Sequence, residues 1–242
     1  LLTSRLMPVA QQSQMPSLTA LAQALRSANN YTLRKQVVEA MTTHETLFFR
    51  DNAPFEALKS TILPELLQKR VASRTLRIWS AASSSGQEPY SLAMLLLDMD
   101  LESWNLQILA TDISEQILER AQQGRYMQIE MNRGLPAAQL VKYFERDGLS
   151  WRIKERLRRM VRFEQFDLRK QMVSKGPFDL IFCRNVLIYF DVPTKKQILA
   201  GLKGCLLPGG YLALGSAEST LNLDESYRRV PVGKATFYQA PE

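Results

Sequence analysis

The sequence predicts an α/β fold built on a doubly wound, mostly parallel sheet with an antiparallel C-terminal hairpin. A small all-α domain precedes the sheet, and a small β-subdomain is inserted in it. Three observations predict this. From Leu76 onward, short apolar runs alternate with amphipathic helical patterns, and strands separated by helices pair in parallel. Residues 1–50 read as helices. Residues 125–165 interrupt the alternation with turn signals and a basic run.

Leu18, Leu21 and Leu25 recur at helical spacing, and Asn29-Asn30 ends that helix. A second helix starts near Thr32, with Leu33, Val37 and Met41 on one face. So small a segment buries little by itself and is expected to pack on the rest. Pro54 sits in the first turn of a further helix that turns Phe55, Leu58 and Ile62 inward. The basic stretch Lys69 to Thr75 leads into a strand, Leu76 to Ala82. Ser83-Ser84-Ser85-Gly86 makes a turn, and Pro89 opens a helix with Leu92, Leu95, Leu96 and Met99 on one face. Leu106 to Ala110 is a second strand. Ser114 caps a helix bearing Ile117, Leu118 and Ala121, closed by Gly124.

Within the insertion, a short helix is expected at Pro136 to Phe144 and a turn at Asp147-Gly148. Val161 to Phe166 runs up to Asp167, and Phe178 to Cys183 is a buried strand. Thr194 to Leu206 forms a helix with Ile198, Leu199, Leu202 and Leu206 inward. Pro208-Gly209-Gly210 turns into the strand Tyr211 to Leu214. The last strand, Ala235 to Gln239, is expected to pair with it as a hairpin.

Composition excludes several classes. The chain has 242 residues, 45% apolar and 23% charged, ordinary for a globular protein. No apolar run approaches the roughly 18 residues of a membrane-spanning helix, and no apolar region follows Leu1-Leu2-Thr3-Ser4-Arg5 to make a signal peptide. The chain opens without Met, so its natural start is expected upstream. Cys183 and Cys205 form no CxxC pair, and reduced thiols in the cytoplasm are the default reading. His44 is the sole histidine, which argues against a His/Cys metal site and leaves no Ser-His-Asp triad except one built on His44. The net charge of +7 suits nucleic acid, an anionic membrane or an acidic protein as partner, although a solvated surface accounts for any single cluster equally well.

Open α/β sheets bind ligands at the carboxyl ends of their strands. Three such ends carry informative residues. The turn ending in Gly86 lets backbone approach a ligand, and the helix after it favours a carboxylate. It lacks the G-x-G-x-x-G fingerprint of dinucleotide sites. Asp112 lies 26 residues after Gly86, where an acidic residue accepts ribose hydroxyls, or else it caps the next helix. Asp167 can accept from an adenine amino group, or be a surface loop residue.

The order of these features, with Phe178-Asp179-Leu180-Ile181-Phe182 and the Pro208-Gly209-Gly210 turn, resembles the class I methyltransferase plan. Three longer stretches are similar to signature segments of the chemotaxis receptor methyltransferases. They run from Met41 to Asp51 (MTTHETLFFRD), from Ile78 to Ser91 (IWSAASSSGQEPYS) and from Phe178 to Asp191 (FDLIFCRNVLIYFD). Arg133-Gly134-Leu135-Pro136 and Gly215-Ser216-Ala217-Glu218 match that family too.

The resemblance implies a helical N-terminal domain, 1–50, clipped at its start. It implies an S-adenosylmethionine-binding catalytic domain, 51–242, with an inserted subdomain at about 125–165. It implies cofactor contacts from His44, Thr46 and Arg50, from Glu88 at the methionine end, and from Asp112 at the ribose. Asp167 and the backbone of Leu168 would hold the adenine, with Arg184 and Asn185 lining the pocket floor. Arg50 and Tyr189 would face the transferred methyl as the catalytic pair. His44 stands where many members have Asn, Gln87 where many have Glu, and Asp167 where some have Asn.

The activity so implied is methyl transfer from S-adenosylmethionine to receptor glutamates, leaving S-adenosylhomocysteine, with no metal. A glutamate with a pKa of about 4.3 is already ionised at neutral pH, so no general base is required. The implied partner is the acidic helical bundle of a chemoreceptor's cytoplasmic part. Arg152, Lys154, Arg156, Arg158, Arg159 and Arg162, with Arg26, Arg34 and Lys35, would steer it. No nucleic acid is expected, since no aromatic platform interleaves these charges, and no membrane insertion either. Some family members dock on a pentapeptide at the receptor C-terminus through the inserted subdomain. Here only Arg146 to Ser150 join the two flanks, too short for a peptide groove, so independence of that peptide is expected. The rival readings are a class I methyltransferase of another substrate and a non-catalytic cofactor-binding module. Arg184-Asn185-Val186-Leu187 lacks the Pro-Pro of amine methyltransferases.

Overall fold

The computed structural model describes residues 2–27, 30–101 and 103–242. The chain divides into two compact units, Leu1–Glu45 and Thr46–Glu242. The first holds helices α1 (Leu2–Gln12), α2 (Leu18–Arg26) and α3 (Tyr31–Met41). Leu6, Val9, Ala10, Leu21 and Leu33 form its core. The Ser17 hydroxyl caps α2 by accepting the Ala20 amide at 3.1 Å, and Arg5 donates to the Met41 carbonyl at the end of α3 at 2.8 Å. Of the expected Asn29-Asn30 stop, Asn29 lies outside the described residues. Asn30 donates to the Ala24 carbonyl at 2.7 Å.

In the second unit, α4 (Ala53–Ala57) runs through a π turn, Leu58–Ile62, into α5 (Leu63–Lys69). Phe55, Leu58 and Ile62 are buried, as their spacing predicts. Next come β1 (Thr75–Ala81), α6 (Gln87–Leu97), β2 (Asn105–Asp112) and α7 (Glu115–Gln123). The insertion contributes β3 (Arg125–Met127), α8 (Gln128–Met131), α9 (Ala137–Tyr143), β4 (Phe144–Asp147), β5 (Ser150–Ile153) and α10 (Glu155–Arg158). The chain finishes with β6 (Val161–Gln165), β7 (Phe178–Cys183), α11 (Val192–Gly204), β8 (Leu206–Leu214), β9 (Arg228–Val232) and β10 (Ala235–Gln239).

The main sheet has the order β6-β2-β1-β7-β8-β10-β9. Its first five strands are parallel, and β10 runs antiparallel to both β8 and β9. This is the mostly parallel sheet with antiparallel C-terminal strands that the sequence predicts. Alternate residues of each strand feed two cores, Leu76, Ile78, Leu180 and Phe182 on one face and Trp79, Ala81, Ile181 and Cys183 on the other. A small antiparallel sheet, β3-β5-β4, forms within the insertion.

Three local expectations change. β10 does pair with the strand ending at Leu214, but the hairpin itself joins β9 to β10. β9 reads Arg-Arg-Val-Pro-Val, and its proline and charges mark an edge strand rather than a core one. Pro208-Gly209-Gly210 is no turn before a strand. It lies within β8, where the pairing with β7 slips between Phe178 and Leu180. Helix α11 ends at Gly204, so Leu206 begins β8 instead of closing the helix.

Candidate functional site

The turn after β1 forces its backbone into the left-handed region at Ala82 (φ 61°), Ser84 (φ 49°) and Gly86 (φ 92°). Side chains disfavour such angles, and they concentrate where a site demands a particular backbone path. The Asp112 carboxylate holds the turn. It accepts the Ser84 amide at 2.9 Å and, on its other oxygen, the Ser114 amide at 3.1 Å. Asp112 therefore bridges the β1 turn to the start of α7, where Ser114 is the capping residue. Gly86 serves packing on the side where a Cβ would point: such an atom would stand 3.0 Å from Ala121 and 3.2 Å from the Tyr126 hydroxyl. Tyr126 from the insertion donates to the Ser85 carbonyl at 2.8 Å, so the insertion braces the turn.

Glu88, in the first turn of α6, points back at the strand ends. Its carboxylate accepts from the Ser80 hydroxyl at 2.8 Å and pairs with Arg184 at 3.2 Å. Burial pushes its pKa up, and the Arg184 cation, the Ser80 hydrogen bond and the charge of Arg50 oppose that only in part. Arg184, just past β7, also donates to the Arg50 carbonyl at 2.9 Å and to the Asp51 carboxylate at 2.7 Å. One guanidinium thus ties the Arg50-Asp51 turn to α6. Two carboxylates share its charge, and its face lies over the Phe55 ring.

Asn185 follows with φ 57°, and Tyr189 ends a 3-10 turn, Leu187–Tyr189. Tyr189 is 61% exposed, so it is not a core aromatic. The Glu218 carboxylate fixes this loop. It accepts the amides of Asn185 at 2.8 Å, Val186 at 2.9 Å, Ile188 at 3.3 Å and Gly215 at 2.7 Å. A Cβ on Gly215 would stand 2.7 Å from the Glu218 carboxylate, so only glycine leaves it room there. Across the sheet, the Phe166 amide donates to the Asp112 carbonyl at 2.8 Å and sets Asp167 beside that strand end. Asp167 is gripped by Arg169, with one contact at 2.7 Å. Burial raises its pKa, but the Arg169 hydrogen bonds outweigh that and leave it lowered. Leu168 is buried in the second core.

Of the site residues expected from sequence, Gly86, Glu88, Asp112, Asp167, Leu168, Arg184 and Asn185 lie at or just beyond the carboxyl ends of β1, β2, β6 and β7. Glu88, Arg184 and Arg50 are in one network, and Asp112 and Asp167 sit on adjoining strand ends. Thr46 opens the second unit and is half-buried, whereas His44 belongs to the first unit. Sequence reasoning missed the parts played by Ser80, Asp51 and Glu218. A side chain whose role is to hold a distant partner leaves no periodic signal; all three lie in the family-like stretches, which mark the segment but not the contact.

Five buried side-chain polar atoms have no partner among the described residues, and three are here: Ser83 Oγ, Arg184 Nε and Asn185 Oδ1. Buried polar atoms are nearly always paired, so this cluster marks a place built for a polar ligand. Glu88 adds a buried acceptor for a cationic group. The thiols of Cys183 and Cys205 are pushed up by burial, so neither is a thiolate nucleophile. No group of three metal-ligating side chains occurs among the described residues.

A family model described as CheR methyltransferase, SAM binding domain, matches residues 44–235. Chemotaxis protein methyltransferase 1 of Pseudomonas aeruginosa is 44% identical over 248 residues, covering 99% of this chain and 89% of that one. Chemotaxis protein methyltransferase Cher2 of Pseudomonas putida is 42% identical with the same coverage. A Vibrio cholerae protein named chemotaxis protein methyltransferase 1 is 39% identical, covering 99% and 88%.

Proposed function

The chain belongs to the CheR methyltransferase family, and from that membership we propose how its residues carry a methyl group to a receptor glutamate. It is an S-adenosylmethionine-dependent methyltransferase of chemotaxis, with chemoreceptors as substrate. The observation that carries the site assignment is the cluster of unpartnered buried atoms, Ser83 Oγ, Arg184 Nε and Asn185 Oδ1, beside the buried Glu88 carboxylate. These groups fit an amino-acid tail and a nucleoside.

S-adenosylmethionine, when bound, supplies an electrophilic methyl on a sulfonium. Glu88 takes the cationic amine, since that restores the charge its burial lacks. Asp112, buried at the end of β2, takes the ribose hydroxyls. Asp167 and the Leu168 backbone hold the adenine. Thr46 and His44 join this set on family resemblance. Arg50 orients the attacking glutamate carboxylate by charge-assisted hydrogen bonds, and the exposed Tyr189 faces the same acceptor. Arg184, expected on the pocket floor, acts as a positioning residue: it fixes Arg50 through its carbonyl and through Asp51. Alignment of carboxylate, methyl and sulfur is what the site must provide. No metal takes part in this scheme.

The test is incubation with a receptor cytoplasmic fragment and methyl-labelled cofactor. Label that leaves as methanol on mild alkali identifies glutamate esters. Label stable to alkali would point to nitrogen or another acceptor and sink the glutamate assignment.

A further inference from the structure

At the edge of the sheet opposite the site above, the amino ends of β1, β2, β6 and β7 border an open cleft of about 550 Å3. That volume lies in the range of small-molecule sites, roughly 300–1,000 Å3. The cleft has a structural cause. The crossovers after β1, β2 and β7 each carry a helix, whereas residues 166–177, between β6 and β7, form turns only. The sheet face beneath them lacks a helix to fill it.

The lining is charged in one sense. Arg77, Arg159, Arg162 and Lys175 contribute four cations, and Glu164 is the one carboxylate among the lining residues. Glu164 is shared by Arg162 and Lys175. Arg159 reaches outward to Glu155 at 3.0 Å. Two positive charges remain in excess. Arg77 is the distinctive member. Its guanidinium lies over the Phe178 ring, 5.3 Å from the centroid, and has no hydrogen-bond acceptor among the described residues. Its backbone amide is separately bound by Asp179 at 2.8 Å, which fixes the strand beneath it. A guanidinium over a ring, with its N–H groups left without an acceptor, can grip phosphate oxygens in pairs.

We propose that this cleft binds a phosphate-bearing small molecule, with the Arg77 edge on the phosphate and the charges of Arg162 and Lys175 neutralising it. A dianion matches the excess of two charges. Nucleic acid fits less well, because Arg77 already covers Phe178 and leaves no ring face for a base to stack on. Arg77 stands four residues before the end of β1 at Ala81, roughly 13 Å at about 3.3 Å per residue, so a ligand gripped at Arg77 and one at the cofactor end do not overlap.

Calorimetry on the whole protein with inorganic pyrophosphate as probe tests this. One saturable site per chain is expected, unchanged when S-adenosylhomocysteine is present. Arg77→Met keeps an apolar cover on Phe178 and should weaken binding about tenfold, the loss of one charge-assisted pair. Glu164→Gln removes the competing carboxylate and should tighten it. Arg152→Met, an equal loss of charge on the insertion, should change little. Each variant is first shown to bind S-adenosylhomocysteine as the parent does; if Arg77→Met fails that check, Arg162→Gln, whose side chain is 80% exposed, replaces it. The proposal is overturned by absence of saturable binding, by competition with S-adenosylhomocysteine, by displacement of the probe by a single-stranded oligonucleotide at lower concentration, or by Arg152→Met acting as strongly as Arg77→Met.

Discussion

Asp112 answers to two demands, and substitution separates them. Its oxygens already receive the Ser84 and Ser114 amides. Asp112→Asn puts an amide NH2 against one of those donors, and we expect S-adenosylhomocysteine affinity by calorimetry to fall by roughly 1–3 kcal/mol. A lowered melting temperature with unchanged affinity would reduce Asp112 to a turn brace. Glu88 gives a pH signature. Burial raises its folded-state pKa above the ordinary 4.5, so the stability it contributes is full below that value and is lost as pH rises through the raised one. The cofactor amine needs the ionised form, so affinity should rise with pH over the same window, and Glu88→Gln should flatten the profile. Arg50→Ala should lower turnover on receptor more than it lowers cofactor affinity. A proportional fall in both would remove its role in placing the nucleophile. Asp112 and Glu88 could be picked out from one sequence because each lies at a fixed offset from a strand end or in a recognisable motif. The Arg184 bridge could not, because its partners, Glu88 and Asp51, lie 96 and 133 residues away along the chain.

Among the elements, the loop after β7 has little support of its own, being one 3-10 turn with three amides bound by Glu218. Glu218→Gln turns one acceptor oxygen into a donor among donors. The expected cost is roughly 1–3 kcal/mol in thermal denaturation, with turnover falling further than the same change at Glu225 produces. Equal effects at both positions would show the loop is held by other means. The inserted hairpin is tighter than the sequence suggested, since Asp147 pairs with Ser150 and only Gly148 and Leu149 join the strands. Its sheet has edge strands of three and four residues, β3 and β4. Such edges offer few ladder groups to an added strand. We therefore expect no micromolar binding of a receptor C-terminal pentapeptide, and methylation that survives removal of the receptor's last residues; either failing reverses this reading. The strand β7 was legible because all of it is buried and nearly all of it apolar, and β1 and β2 because each carries a short apolar run bounded by turn residues. β9 was not, because an edge strand is read by pairing rather than by hydrophobicity.

For the molecule as a whole, the sheet order was implied by alternation of strands and helices, while surface charge was legible only as a total. Much of the basic run is spoken for: Arg158 and Arg159 share Glu155, Arg162 pairs with Glu164, and Lys154 donates to the carbonyls of Val141 and Lys142. Steering of an acidic receptor bundle then rests on the net charge of +7. Methylation rate at limiting receptor should fall as salt is added, since exposed charges are screened beyond about 8–10 Å at physiological ionic strength; a flat salt profile would leave the encounter to contact surfaces alone. The Glu218 clasp has a consequence for how the protein is made. A nascent chain extended through β8 already holds all five parallel strands, Asp112 and the turn after β1. It lacks the acceptor for amides placed some thirty residues earlier, from Asn185 to Ile188. Products of interrupted translation that stop short of Glu218 would carry the cofactor end of the sheet without an ordered Tyr189 loop. Ordering of the Tyr189 loop thus waits for synthesis to pass Glu218, after all five parallel strands have been made.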